Sequence, residues 1–471
     1  MPLHFHNTLS RKLEEFIPLE PGKARLYTCG PTVYNFAHIG NFRAYIFEDL
    51  LRRTLAYCGF KVTQVMNLTD VDDKTIRGAR QAGLPLDQFT RQFKDAFFAD
   101  LKTLRIEPAE FYPAATGCIP EMIRMIEVLI EKKHAYVGDD KSVYFSIASF
   151  PRYGQLARLN RDEMRVGVRI KHDEYAKESV ADFALWKAWD EADGEVKWDS
   201  PWGPGRPGWH IECSAMSMKH LGPTFDLHTG GVDNLFPHHE DEIAQSEAAN
   251  GVKFVNYWLH CAHLMVEGQK MSKSMGNFFT LRDVVAKGWT GREIRWVLLG
   301  THYRQQLDFS FQGCHNARAA LQRVDDFKTR LQEAAALPDA DTTGVAARLT
   351  AAEAEFRAGL EDDINLSAAL AALFNLVRDV NRMLDAGELA GKPAAAVAEL
   401  LRTLDTVLGV LDVDQAGADA PADILALAQE RQDARKAKNF ARADEIRKLL
   451  AARGWILEDT PQGPRVKRQA G

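Results

Sequence analysis

The sequence has no long hydrophobic run. Its longest apolar stretches fall far short of the roughly 20 residues that a membrane-spanning helix requires. Residues 1–10 also lack the apolar core of a secretory signal. With a net charge of −6, the chain as a whole is not a basic nucleic-acid-binding protein, so only a local basic region could serve that purpose. These absences predict a cytoplasmic protein.

Cysteine is also scarce. Six cysteines are scattered along 471 residues, at positions 29, 58, 118, 213, 261 and 314. A large chain with a full hydrophobic core does not need disulfides, and no Cys-x-x-Cys pair marks a zinc knuckle. We therefore expect core thiols together with one or two metal ligands.

The first regular pattern is a strand, a helix and a second strand. Residues 24–29 form a short apolar strand, apolar residues recur every three or four positions over residues 41–58, and residues 61–68 form the second strand. This order predicts a parallel βαβ unit. Ligands of parallel sheets bind at the carboxyl ends of the strands, so Cys29 and His38 are expected there.

The pattern along the chain predicts an α/β fold. A Rossmann-like parallel-sheet catalytic domain with an insertion is followed by an all-helical domain and a small C-terminal module. The insertion is predicted to contain a hairpin at residues 136–147. The predicted boundaries are 1–114 for the first catalytic half, 115–205 for the insertion, 206–310 for the second half, 311–411 for a helical bundle and 412–471 for a linker and the C-terminal module.

Two short segments have the composition of phosphate-binding elements. In residues 38–41 (HIGN), Gly40 lets the backbone approach a ligand, the helix start points its amides at an anion, and His38 can donate to phosphate. In residues 270–274 (KMSKS), two lysines on a glycine-flanked loop offer mobile positive charges. A capped helix start and an exposed basic loop are the ordinary alternatives. HIGN follows the first strand, and KMSKS is expected after a late strand of the same sheet. This order of the two segments indicates an enzyme that uses ATP to activate a carboxylate.

Four potential metal ligands are expected near the same strand ends. Cys29 closes the first strand, Cys213 opens the second catalytic half, and His238 and Glu242 lie one helical turn apart on one face. Two thiols, an imidazole and a carboxylate suit tetrahedral zinc. Core cysteines, a helix-start histidine and a solvated glutamate are the alternatives, and the adjacent pair at 239–240 competes for the same roles.

The two phosphate-binding segments resemble the motifs of class I aminoacyl-tRNA synthetases, with Asn41 in place of the last histidine of the first motif. Longer strings resemble the cysteinyl-tRNA synthetase family, and together they cover nearly the whole chain. These strings are CGPTVY (29–34), NLTDVDDK (67–74), WHIECSAM (209–216), DLHTGGVDNLFPHHEDEIAQS (226–246) and KMSKSMGN (270–277). The resemblance implies that the carboxylate of L-cysteine attacks the α-phosphate of ATP and that the 3′ end of tRNA(Cys) then accepts the cysteinyl group.

The resemblance also implies the cofactors and the site residues. It implies one Zn²⁺ per chain, ATP with Mg²⁺, and a monomer. A zinc ion would select the substrate thiolate over the hydroxyl of serine, a difference for which a hydrophobic pocket gains only about 1–3 kcal/mol. The implied residues are His38, Asn41, Lys270 and Lys273 for catalysis; His38, Gly40, Ser272 and Lys273 for ATP; Thr69, Trp209, His228 and Asp233 for the substrate; and Cys29, Cys213, His238 and Glu242 for zinc.

The C-terminal region resembles the anticodon-binding module of that family. It is basic and helical over residues 431–453, and the expected tRNA contacts come from Arg435, Lys438, Arg442 and Arg447. A solvated basic helix face is the alternative. The family often has tryptophan in its closing basic string where this chain has Val466. If an aromatic residue stacks on a base, Trp455 is the expected substitute.

Two other functions stay open at this point. A ligase of the same fold that joins activated cysteine to an amino sugar would share HIGN, KMSKS and zinc, but it is expected to lack the C-terminal module. A non-catalytic, zinc-stabilised RNA-binding protein would have no need of His38 or of the lysines in KMSKS.

Overall fold

The computed structural model describes residues 2–159, 182–272, 275–341, 344–413, 422–453, 455–460 and 463–468. These residues form two compact units. The first unit is drawn from residues 1–285, 294–310 and 357–369, and the second from residues 286–293, 311–356 and 370–471. None of the described helices combines the length and the apolar character that crossing a membrane requires.

The bounds of the regular elements are as follows. The strands are β1 His4–Asn7, β2 Lys12–Glu15, β3 Lys23–Thr28, β4 Lys61–Met66, β5 Ala135–Val137, β6 Val143–Phe145, β7 Phe183–Ala188, β8 Gly205–Pro207, β9 Phe225–Gly231, β10 Val255–Cys261, β11 Leu264–Val266, β12 Gln269–Lys270, β13 Leu307–Phe309, β14 Ala340–Asp341, β15 Leu389–Ala390, β16 Trp455–Thr460 and β17 Gly463–Arg468. The α-helices are α1 Ile39–Tyr57, α2 Asp73–Ala82, α3 Leu86–Thr103, α4 Ile119–Glu131, α5 Trp209–Leu221, α6 Glu240–Asn250, α7 Leu281–Ala286, α8 Gly291–Leu299, α9 Phe311–Ala335, α10 Val345–Glu361, α11 Leu366–Asp385, α12 Lys392–Leu408, α13 Ala422–Lys436 and α14 Phe440–Ala452.

A four-stranded parallel sheet lies at the centre of the first unit, with the strand order β10-β9-β3-β4. β3 pairs with β4 on one side and with β9 on the other, and helix α1 connects β3 to β4. The predicted βαβ unit is therefore confirmed. Because all four strands run in the same direction, their carboxyl ends meet at one edge, where ligands of such sheets bind.

One hydrophobic core covers the sheet and extends into the predicted insertion. It combines Tyr27 and Phe225 of the sheet with Ile126 of α4, and it includes Phe145 and Trp186 of the insertion. The insertion itself forms an antiparallel sheet of order β5-β6-β7-β8, in which β5 and β6 are the predicted hairpin. The insertion and the parallel sheet thus share one set of buried side chains, which holds the insertion against the sheet.

The strand predicted to precede KMSKS differs from the structure. In place of one late strand of the central sheet there are two strands, since β10 ends at Cys261 and β11 begins at Leu264. Between them, the amide of Ala262 donates to the carbonyl of Tyr303 and diverts the chain. β11 belongs to a separate three-stranded sheet of order β12-β11-β13, so KMSKS follows this small sheet and not the central one.

The second unit is mainly helical, as its composition predicts. Helices α9 and α12 and most of α10 and α11 belong to it, together with a short antiparallel ribbon of β14 and β15. Helices α13 and α14 and the antiparallel pair β16 and β17 form the C-terminal module. Most of the predicted linker at 412–422 lies outside the described residues.

Candidate active site and metal centre

The four predicted metal ligands come from three places around the central sheet. Cys29 directly follows β3, Cys213 lies in the first half of α5, and Glu242 lies in the first turn of α6. His238 is not in α6 as predicted, but in a wider turn, Leu235–His239, that leads into it. His238 Nε2 nevertheless lies 3.0 Å from Glu242 Oε1, so the two side chains still face each other.

The structure brings these four side chains together. One potential ligand atom from each lies within 4.8 Å of the others, and all four residues are buried. Burial opposes ionisation of Cys213, but the hydrogen bond from Cys29 and the proximity of His238 outweigh burial and lower the pKa of Cys213 to about 6. Burial also acts against the Glu242 carboxylate, but His228 and His238 outweigh it and lower the pKa of Glu242 to about 2.

The charges in this cluster suit a cation. The hydrogen bond to Cys213 and then burial raise the pKa of Cys29 well above its usual range. Burial disfavours a charged His238, but Glu242 and Cys213 outweigh burial and raise the pKa of His238 well above its usual range. The Cys213 thiolate and the Glu242 carboxylate therefore face protons that are held by Cys29 and His238. A divalent metal can replace those protons.

An unsatisfied oxygen gives a second test of the metal site. Glu242 Oε1 is buried, and His238 Nε2, which lies 3.0 Å away, does not meet it with hydrogen-bond geometry, so no hydrogen bond satisfies this atom within the part of the chain that the structure describes. A metal ion would satisfy this atom. A second group of potential ligands, Cys29, His228, His239 and Glu242, lies in the same place and shares two members with the first. The first group has two thiols, the donor set typical of zinc, and it fits the metal better.

The predicted substrate residues surround this cluster. Trp209 stacks on His238 with ring centroids 4.2 Å apart, and Thr69 donates to Glu212 at 2.7 Å. His228, predicted to contact the substrate, instead places Nε2 2.9 Å from Glu242 Oε2 and so holds a potential ligand in position. Asp233 is exposed and follows β9 at the carboxyl edge of the sheet.

The HIGN segment caps helix α1 at the same edge. His38 Nδ1 accepts a hydrogen bond from the Asn41 amide at 3.2 Å, and Asn41 Oδ1 accepts from the His38 amide at 3.1 Å. Burial lowers the pKa of His38 to about 4, so the ring is neutral at pH 7. Because Nδ1 is an acceptor, the single ring proton lies on Nε2, which is then the atom that can donate to a phosphate.

Gly40 is required by close packing. A β-carbon at this position would lie 3.0 Å from the His38 ring and 3.1 Å from Met271 Cε. A side chain would therefore push the His38 ring or the KMSKS segment away from the start of α1.

The chain that follows KMSKS is attached to HIGN by backbone and ring contacts. The amide of Ile39 donates to the Phe279 carbonyl at 3.0 Å, His38 forms an isolated β-bridge with Thr280, and the rings of His38 and Phe278 make an edge contact. The two segments therefore lie next to each other, although they follow different sheets.

Asn277 joins the two arms of the KMSKS loop. Its Oδ1 accepts from the Ser272 amide at 2.8 Å, and its Nδ2 donates to the Lys270 carbonyl at 3.2 Å. Lys270 is exposed, and the predicted catalytic residue Lys273 lies outside the described residues. Asn277 thus fixes the backbone from which Lys270 and Ser272 project.

Comparison with known proteins gives the family of this chain. Residues 15–319 match the model of the class I tRNA synthetase (C) catalytic domain, and residues 355–412 match a DALR domain. The cysteine–tRNA ligase of Protochlamydia amoebophila is 52% identical over 100% of this chain and 98% of the relative. The cysteine–tRNA ligase of Chlamydia muridarum is 50% identical over 99% of this chain and 100% of the relative. The chain belongs to the cysteine–tRNA ligase family.

The fold also has more distant relatives among solved structures. The methionyl-tRNA synthetase of Mycobacterium tuberculosis, in complex with methionyl-adenylate, has a TM-score of 0.57, 15% identity, and a match over 83% of this chain and 88% of the other. At that identity the likeness concerns the fold alone. It confirms the predicted α/β class for this member of the cysteine–tRNA ligase family.

The C-terminal module of this cysteine–tRNA ligase family member departs from one expectation. Trp455, proposed as a base-stacking residue, is buried against Ile446 and Leu450, and Val466 packs against the same cluster. The prediction for Trp455 is wrong, because this small module needs the indole for its own core. Phe440, at the start of α14, is 62% exposed and is a better candidate for stacking.

The predicted tRNA contacts differ in their surroundings. Arg442 forms ion pairs with Glu430 at 2.8 Å and with Glu445 at 2.7 Å. Arg435, Lys438 and Arg447 are exposed at the end of α13, in the turn after it and on α14. Lys438 and Arg447 are therefore more accessible to a phosphate than Arg442 is.

Several buried polar residues around the cluster were not predicted. Apart from His260, they lie within residues 209–216 and 236–242, and nothing in the sequence marks these polar side chains as buried. The group consists of His210, Glu212, Asp241 and, on β10, His260. His260 Nε2 lies 2.8 Å from His239 Nδ1, and His260 Nδ1 lies 2.8 Å from Thr8 Oγ1.

The Asn277 bridge predicts a specific loss of function. We expect Asn277→Ala to lower the rate of ATP–pyrophosphate exchange about 30-fold, because two hydrogen bonds of about 1 kcal/mol each hold the KMSKS loop. Asn277→Asp retains the acceptor for Ser272 and loses the donor to Lys270, so its rate should be intermediate. An Asn277→Ala enzyme with the wild-type rate would show that the bridge does not position the loop.

Buried histidines predict acid sensitivity. Burial, then His228 and Arg11, lower the pKa of His260 from 6.5 to about 3. Between these values the unfolded chain binds the proton and the folded chain does not, so the free energy of unfolding falls as the pH falls, by about 1.4 kcal/mol per pH unit for this one group. In urea unfolding between pH 6 and pH 4, His260→Asn should flatten the pH dependence by that amount. His263→Asn, which changes an exposed histidine, should leave the slope unchanged, and an equal slope in both variants would contradict the assignment.

Proposed function

We propose that this chain joins L-cysteine to the 3′ end of tRNA(Cys) in two steps driven by ATP. One observation carries the proposal. A cluster of two thiols, an imidazole and a carboxylate lies at the carboxyl edge of the same sheet as His38, so a group that recognises sulfur adjoins a group that binds phosphate. Cysteine is the amino acid that such a site suits.

Activation of the amino acid comes first. A carboxylate oxygen of cysteine forms a bond to the α-phosphorus of ATP, while the bond from that phosphorus to pyrophosphate breaks. The Nε2 proton of His38 and the amino end of α1 face the phosphates. Lys270 and Lys273 neutralise charge on the leaving pyrophosphate, and Ser272 donates a hydrogen bond to ATP. The chain acts by orientation and charge stabilisation rather than through a covalent intermediate.

Recognition of the thiol rests on the metal site. Zinc held by Cys29, Cys213, His238 and Glu242 would supply a soft Lewis acid that prefers a thiolate to a hydroxyl. His228 orients Glu242, and Trp209 covers one face of His238. Thr69 and Asp233 complete the pocket for the amino acid.

Transfer to tRNA follows. A ribose hydroxyl at the 3′ end of the tRNA attacks the acyl carbon, and AMP leaves. Arg435, Lys438, Arg442 and Arg447 contact the tRNA through its phosphates. Mg²⁺ accompanies ATP, and the protein acts as a cytoplasmic monomer.

The two rival functions have less support. An amino-sugar ligase was expected to lack the C-terminal module, which this chain has as a folded unit with its own core. A non-catalytic RNA-binding protein would have no reason to keep a neutral His38 oriented toward a ligand or an Asn277 bridge across the KMSKS loop.

Substrate selection gives the central test of this function. Wild-type protein should catalyse ATP–pyrophosphate exchange with cysteine and not with serine, and treatment with a zinc chelator should abolish the exchange. Cys213→Ala should lower kcat/KM for cysteine by more than about 100-fold, since loss of a ligand costs more than loss of a residue outside the ligand set. Cys118→Ala, which changes another buried cysteine of the same unit, is the matched control and should retain activity. Equal exchange with serine and cysteine would refute the proposal.

Binding of tRNA gives a separate test. The double substitution Lys438→Ala and Arg447→Ala should raise the KM for tRNA about 10-fold in aminoacylation, reduce its salt dependence, and leave pyrophosphate exchange unchanged. Arg402→Ala, an arginine on α12, is the control for loss of charge. An unchanged KM for tRNA would show that these two residues do not contact it.

A further inference from the structure

A segment of the insertion is attached to the helix that carries Glu242. Glu240 accepts hydrogen bonds from the amides of Gly154 at 2.7 Å, Leu156 at 2.9 Å and Ala157 at 3.0 Å. Glu240 is fully buried, so these amides take the place of water as hydrogen-bond donors to its carboxylate. The segment 153–157 is therefore held against the first turn of α6, two residues from a proposed ligand.

The next residue, Asp241, has partners on both sides. The Tyr153 hydroxyl donates to Asp241 Oδ1 at 2.5 Å. His210 Nε2 lies 3.3 Å from Asp241 Oδ2. All three side chains are buried, so each depends on the others for its polar contacts.

His210 continues this chain to the metal cluster. Its Nδ1 lies 2.9 Å from Nδ1 of His238. One of these two nitrogens must donate and the other must accept. His238 faces Glu242 with Nε2, and a histidine that binds a metal through Nε2 carries its proton on Nδ1. His238 then donates to His210, and His210 carries its proton on Nε2 and donates to Asp241.

We propose that Asp241 and Tyr153, acting through His210, are positioning residues that keep His238 in the tautomer and orientation needed to bind the metal. The proposal rests on the proposed function, because it concerns the same zinc site. Donation runs in one direction, from His238 through His210 to Asp241, and Tyr153 holds the acceptor in place. Partners of this kind orient metal ligands in other proteins, and their loss typically costs about 10–100-fold in metal affinity.

The chain offers a matched control for Tyr153. Tyr303 donates to Asp363 Oδ1 at 2.6 Å in the same unit. Tyr303 is 3% exposed and Tyr153 is 5% exposed, so each pair is a buried tyrosine on a buried carboxylate. The hydroxyl of Tyr303 has no place in the chain of contacts that runs from Asp241 to His238.

The test is the zinc affinity of full-length protein, measured by competition with a chromophoric chelator, together with the visible spectrum of the cobalt-substituted protein. Tyr153→Phe and Asp241→Asn should weaken zinc binding about 10–100-fold and shift the cobalt spectrum. Asp241→Asn retains the shape of the side chain, but its amide cannot accept from both partners. Tyr303→Phe should change zinc affinity less than about 2-fold and leave the spectrum unchanged.

The outcomes separate this inference from the proposed function. If wild-type protein binds no zinc, the proposed function itself fails. If wild-type protein binds zinc and both variants bind it as tightly, with the wild-type cobalt spectrum, then only the positioning role is overturned. If Tyr303→Phe loses as much affinity as Tyr153→Phe, the effect is general destabilisation, which also overturns the role. Should one of the two variants fail to fold, the other decides the result.

Discussion

β3 and β9 run side by side in the same direction, with Tyr27 opposite His228 and Thr28 opposite Thr229. This pairing places the two chain segments that leave the sheet next to each other, one continuing to Cys29 and His38 and the other to the turn that carries His238. Cys29 is tied to the neighbouring strand by its amide, which donates to the Thr229 carbonyl at 3.3 Å. The proposed phosphate-binding and thiol-binding groups lie at one edge because these strands are parallel and adjacent.

Buried polar groups are concentrated at the same edge of the sheet, and their charges are consistent with a cation bound among them. Burial and neighbouring histidines lower the pKa of His239 well below its usual range, so this ring is neutral. Negative charge is held on Cys213 and Glu242, whose pKa values are lowered. The set that contains Cys213 and His238 includes both of these groups, whereas the set that contains His228 and His239 includes Glu242 alone. The first set therefore offers more negative charge to a cation.

Much of this arrangement could be predicted from the sequence. The βαβ unit follows from apolar spacing, and Cys29, Cys213, His238 and Glu242 follow from residue types near strand ends combined with family resemblance. The histidine and aspartate contacts could not be predicted, because His210 meets His238 only when α5 packs beside the turn before α6. KMSKS was placed on the wrong sheet, since a two-residue diversion after Cys261 leaves no clear sequence signal. Trp455 was misassigned because exposure depends on how the small module folds.

The central claim is that the thiol of cysteine is recognised by a metal held at this edge of the sheet. X-ray absorption at the zinc edge measures the number of sulfur ligands directly. We expect two sulfur ligands, Cys29 and Cys213, in the zinc-loaded protein alone, and three after L-cysteine is added. Serine should leave the number at two. A sulfur count that does not rise with cysteine, or a zinc ion without thiolate ligands, would contradict the claim.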